Sequence, residues 1–152
     1  MAESEIRDDH TWLTAFMSQA WEDHVDEYAA GITWSINKGW DSVNDLYAAA
    51  GSLGSDIDEP WILPVYGGRP VPHSADADPS DPPLMLLEPP GVSQAARFLA
   101  AVSFGELWNV AGARFSALGW TRQELLDHHR GLQGFYGRAA SAGHAVVKVV
   151  WA

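Results

Sequence analysis

The segment 121–152 constrains the fold more than any other, because it spells out a helix with both ends marked and the strand that follows it. Thr121-Arg122-Gln123-Glu124 has the form of a capping box, in which a threonine side chain and a glutamate side chain each satisfy the other's backbone N–H. Gly143 supplies a stop, since glycine enters the left-handed conformation that ends helices without steric cost. His144-Ala-Val-Val-Lys-Val-Val-Trp151 is then a β-branched run, which predicts a strand over 145–151. Between the caps, Leu125, His129, Leu132, Tyr136 and Ala139 form one continuous stripe at helical spacing, with His128 and Phe135 beside it.

The rest of the chain reads as further helices and short strands. Residues 8–29 predict a helix whose buried stripe is Leu13, Met17, Ala20, Trp21, Val25 and Tyr28. Glu22, Asp23, Asp26 and Glu27 gather opposite that stripe. Trp12 and Phe16 fall on the acidic side, so this helix either breaks after two turns or is covered there. Gly31 ends it, and 32–36 predicts a short strand. Asn37 is placed to cap a second helix running to residue 50, with Trp40, Val43, Tyr47 and Ala50 buried and Leu46 at their edge. Residues 61–66 predict a strand, edge-positioned because Pro64 lacks a donor. Residues 69–83 form a long Pro/Asp/Ser loop, and 84–87 a short apolar strand. Pro89 suits the first turn of a helix to residue 101. Ser103-Phe-Gly-Glu106 is a second capping box, opening a helix to 118. Segregated helices with a few strands, no internal repeat and no linker predict a single α+β domain over 1–152, its helices packed on a small mixed or antiparallel sheet that includes the C-terminal strand.

Composition narrows the function classes. The chain has 152 residues and no cysteine, which removes disulfides, thiol catalysis and thiolate metal sites. The acidic N-terminus lacks the apolar core of a secretory signal, and no apolar run reaches the roughly 18 residues of a membrane span, so the expectation is a cytoplasmic protein with no membrane partner. Residues 1–60 carry 13 acidic against two basic residues, Arg7 and Lys38, so the whole net charge of −11 lies before residue 61. Phosphate contacts require a basic surface, which argues against nucleic acid. An acidic run is either a solvated face or a docking surface for a basic protein. Its carboxylates lack the loop spacing of a calcium site, His-Glu-x-x-His is missing, and the adjacent rings of His128 and His129 splay apart. No metal and no cofactor is expected.

Four stretches resemble the YfbM-like family, a bacterial domain family of unknown function. They are Asn37-Lys-Gly-Trp-Asp-Ser-Val-Asn-Asp-Leu46, Pro64-Val-Tyr-Gly-Gly68, Leu87-Glu-Pro-Pro-Gly-Val-Ser-Gln-Ala-Ala96, and Phe135-Tyr-Gly-Arg-Ala-Ala-Ser-Ala-Gly-His-Ala-Val-Val-Lys148. The resemblance implies a small α+β domain and carries no activity.

Three constellations are chemically suggestive. Trp40 and Asn44 share a helix face with Asp41 nearer the outside, a set able to hold a planar or hydroxylated ligand, or simply core packing with a satisfied amide. His129 on an apolar stripe needs a partner for its ring; with Asp41 or Asp45 it would make a general acid–base pair, and with a backbone carbonyl a structural contact. Gly131, Gly134 and Gly137, flanked by Arg130 and Arg138, predict close approach of another backbone or a shallow groove that could take an anion. The candidate residues are thus His129 and Asp41 for catalysis, and Trp40, Asn44, Tyr136 and Arg138 for ligand binding. Two readings follow: a binding or interaction protein whose acidic N-terminal face or Trp-lined cleft meets a basic protein or a small ligand, or a small metal-independent enzyme using His129 and Asp41 under the 69–83 loop.

Overall fold

A computed structural model describes residues 9–53, 60–72 and 83–149. Helix α1 (His10–Glu22) starts where the Asp9 side chain accepts the Trp12 amide at 3.2 Å, and a one-residue break at Asp23 separates it from α2 (His24–Ala30). A 3-10 turn at Asn37–Gly39 leads into α3 (Trp40–Ala48), which tightens into a second 3-10 stretch at Ala49–Leu53. After the 3-10 turn Pro60–Ile62 come strands β1 (Arg69–Val71) and β2 (Leu84–Leu87). Helices α4 (Pro89–Ala101), α5 (Phe104–Ala117) and α6 (Arg122–Ser141) follow, and strand β3 (Val146–Val149) closes the described chain.

The strands form an antiparallel sheet in the order β1-β2-β3, with Val71 opposite Leu84, and Leu84 opposite Val149. The fold is α+β and mainly helical, as expected. Alternation along the strands divides the apolar side chains between two faces. Leu84, Leu86 and Val71 face a small core with Leu13 of α1 and Ala145, edged by Trp12, Met17, Val147 and Val149. Leu87 and Val146 face the other way, into the main core built by α3, α4, α5 and α6. The sheet therefore lies between α1 and the helical body.

The best-marked segment folds as its sequence reads. Thr121 and Glu124 complete the capping box, and Leu125, His129, Leu132, Tyr136 and Ala139 are all buried. Gly143 takes φ +66°, letting its amide reach Ala140 O and the His144 amide reach Ala139 O. Strand β3 covers 146–149 of the expected 145–151, Ala145 lying just before it and 150–152 outside the described residues. Ser103 Oγ accepts the Glu106 amide at 3.4 Å but supplies only its own half of the second box.

Several expectations need correction. No strand forms at 32–36; that segment is irregular, with Trp34 and Ile36 packed against the main core. Asn37 does not cap α3. It adopts φ +46° inside the 3-10 turn, where Ser35 Oγ donates to its side-chain oxygen. Residues 61–66 are a compact turn, not a strand: Pro60 and Pro64 fix the backbone, and the Tyr66 and Gly67 amides both return to Ile62 O. The sheet begins later, at Arg69, inside the segment read as loop; 73–82 of that loop lie outside the described residues.

The largest correction concerns the first helix. Leu13 and Ala20 are buried and Met17 half-buried, yet Trp21, Val25 and Tyr28 are exposed. A sheet of strands three and four residues long spans roughly 10–13 Å, enough to cover about two helical turns and no more.

Candidate functional site

His129 projects from α6 into the main core and is 3% exposed. Its Nδ1 shares a hydrogen bond with the Tyr47 hydroxyl at 3.1 Å, and its ring lies 5.7 Å from that of Phe104 and 5.8 Å from that of Tyr47. Burial, helped by the neighbouring Arg130 charge, lowers its pKa to about 4, so the imidazole is neutral at pH 7. Asp41 instead accepts the hydroxyl proton of Tyr66, whose ring meets the edge of Trp40 at 6.1 Å. Desolvation, then the Asp41 bond, pushes the Tyr66 hydroxyl up. Asp45 pairs with Arg114 of α5. The anticipated His129–Asp41 acid–base pair therefore does not assemble: each group is held by a tyrosine, and the histidine has no open side toward a substrate.

The four candidate ligand residues are likewise separated. Trp40 is half-buried against the main core. Asn44 lies on the same helix, with its Oδ1 buried and lacking a hydrogen-bond partner. Tyr136 is 1% exposed and donates to Pro64 O at 2.8 Å, which makes it a core residue. Arg138 donates from Nε and Nη2 to Gly31 O at 3.1 and 3.0 Å, holding the end of α2. The glycine stripe of α6 splits in the same way. A Cβ on Gly131 would sit 1.8 Å from the Trp34 ring, so this glycine exists to admit an indole. Gly134 and Gly137 line a shallow depression, open to solvent, with Gln133, Arg138 and Ser141. The groove is present, and its arginine is committed to Gly31.

Lys148 is a further half-buried polar group, marked in the sequence only by standing alone inside a valine run. Its Nζ donates to the carbonyls of Leu63 and, at 2.6 Å, Gly67, fastening the 60–67 turn to the sheet. Burial lowers its pKa from 10.5 to about 7.

The surface that stands apart is the outer side of α1 and α2. Trp21, Val25 and Ile32 are 69%, 68% and 63% exposed, and Tyr28 is 45% exposed. Trp21 lies on the last turn of α1 and Val25 on the first turn of α2, past the break at Asp23, while Ile32 follows Gly31, whose φ of +71° ends α2. Exposed Glu22 and Asp26 stand next to Trp21 and Val25 in the chain. Trp21 stacks on His24 with ring centroids 5.3 Å apart, so its large ring is braced. Glu22, Asp23 and Asp26 are exposed, as a solvated or docking face requires; Glu27 is half-buried. Helix α2 buries none of its residues. It is held from the inner side by Arg138 on Gly31 O, and by Tyr28 stacked on Trp34 at 4.9 Å, whose indole rests on Gly131. Scattered exposed apolar side chains are ordinary; Trp21, Val25 and Ile32 gathered within twelve residues of one braced arm are not.

Among the described residues no group of three or more His, Asp or Glu is placed to hold a metal ion, and no helix is long and apolar enough to cross a membrane. What fold and surface define is a mainly helical α+β domain with a buried, closed core and an exposed helical arm. The chain belongs to the family described as a domain of unknown function (DUF1877), whose model matches residues 3–149. No curated protein matches the chain, and no solved structure does.

Proposed function

We propose that this chain is a cytoplasmic protein-interaction domain that meets its partner through the outer face of α1 and α2, and that within its family it stands with the YfbM-like proteins. The observation that carries the reading is the exposed group of Trp21, Val25 and Ile32. Covering an apolar side chain of this size is worth about 1.5–3 kcal/mol, and tryptophan is among the residues that most often dominate an interface. A fold that buries Leu13 and Ala20 of α1 leaves these three in water, and a partner surface recovers that stabilisation. The neutral, enclosed His129 and the Asp41–Tyr66 bond give no comparable support to the enzyme reading.

The test is photo-crosslinking in the native host from a reactive residue placed at position 25, with a second placed at exposed Ser116 of α5 as control. We expect one discrete adduct from position 25, absent from 116 and lost when Trp21→Ala is added. Identical adducts from both positions, or none from 25, would sink the proposal.

A further inference from the structure

We infer that the segment received by this face is a cationic amphipathic helix of about three turns, an inference that rests on the interaction reading above. Three observations select that occupant.

The first is charge. From Asp8 to Asn37 the chain contains no lysine or arginine, while Glu22 and Asp26 stand next to Trp21 and Val25 in the chain and Asp23 lies exposed beside them. Arg138, which approaches from the inner side, is engaged with Gly31 O. A second copy of this face would set carboxylate against carboxylate, and an anionic lipid surface would be repelled in the same way. A lysine- or arginine-bearing segment gains what those two lose.

The second is the backbone. The arm is helical, with its amides and carbonyls bonded along the helix and across the break, where the Asp26 and Glu27 amides both reach Asp23 O. Such a surface offers no free strand edge for an extended peptide to pair with, so the partner must arrive with its own backbone satisfied, as a helix does.

The third is length. The face is carried by the twelve residues from Trp21 to Ile32: the end of α1, the seven residues of α2, which rise roughly 10 Å, and the residue past Gly31, a reach that suits a partner helix of about three turns with apolar anchors at i, i+3 or i+4, and i+7.

The experiment titrates the full chain into two labelled helical peptides of three to four turns that share one apolar face, one with lysine and arginine on its polar face and the other with glutamate. Fluorescence anisotropy is read at low and high salt. The cationic peptide should bind at least about tenfold more tightly, with the advantage shrinking as salt screens the charges. Trp21→Ala with Val25→Ala should weaken it by about tenfold or more. Glu22→Gln with Asp26→Asn should remove the preference for the cationic peptide and flatten the salt dependence, while melting stays that of the parent chain.

Equal binding of the two peptides overturns the inference. So does a dimer in sedimentation that Trp21→Ala dissolves, or capture on vesicles in place of either peptide. If neither peptide binds but position 25 still yields its discrete crosslink, the inference falls and the interaction reading stands. If the crosslink is also missing, both fall.

Discussion

A histidine at position 129 reads from the sequence as either an acid–base group or a structural contact in the core, and the structure places it in the core. Tyr47 and Phe104 enclose it, and its pKa falls from 6.5 to about 4 because the charged form cannot be solvated there. The sign of the stability effect follows. In the unfolded chain the ring gains its proton near pH 6.5, whereas the folded protein resists it until about pH 4. Stability is therefore full above pH 6.5 and falls as pH drops through that window. Urea denaturation at about pH 7.5 and about pH 5 should show this loss in the parent chain and a clearly smaller one in His129→Gln; equal slopes would place the titration elsewhere. That His129 is buried was legible from its place in the stripe with Leu125, Leu132 and Tyr136. Its partner was not, because Tyr47 lies 82 positions away and nothing in local periodicity points across that distance.

At the level of elements, marked ends decided what could be read. Helix α6 carries its own start, face and stop, and it forms as written. Two substitutions separate those contributions. Thr121→Ala removes the cap and should cost about 0.5–2 kcal/mol. Leu132→Ala leaves a cavity in the main core and should cost about 2–5 kcal/mol. Thermal or chemical melting that ranked the cap above the core residue would contradict this assignment. Where two prolines bracket an apolar run, as at Pro60 and Pro64, the same reading fails. Apolar content there signals burial, and the fixed backbone makes the buried object a turn. The 32–36 segment fails for a related reason: Trp34 packs into the gap that Gly131 leaves on α6, not against strand neighbours.

Across the whole molecule, one side chain ties the turn to the sheet. Lys148 holds the carbonyls of Leu63 and Gly67, and its pKa is lowered from 10.5 to about 7 by burial. Between those values the unfolded chain keeps a proton that the folded protein releases, so stability should rise with pH across that window. Relative to Lys148→Met, the parent chain should gain stability from about pH 7 to about pH 10; a constant difference between the two would refute a buried, weakly basic amine. The same scale decides the exposed arm. The sequence by itself determined the α+β class, the caps and stripe of α6, the β2 strand, the start of α4 and the concentration of negative charge before residue 61, because each is written in neighbours a few positions apart. Only the tertiary structure decided that Trp21, Val25 and Ile32 stay in water, that Arg138 serves Gly31, and that His129 and Asp41 answer to different tyrosines. Periodicity fixes which side chains share a face. Whether that face is covered depends on how far the opposing layer extends, and here a sheet of short strands ends before the helix does.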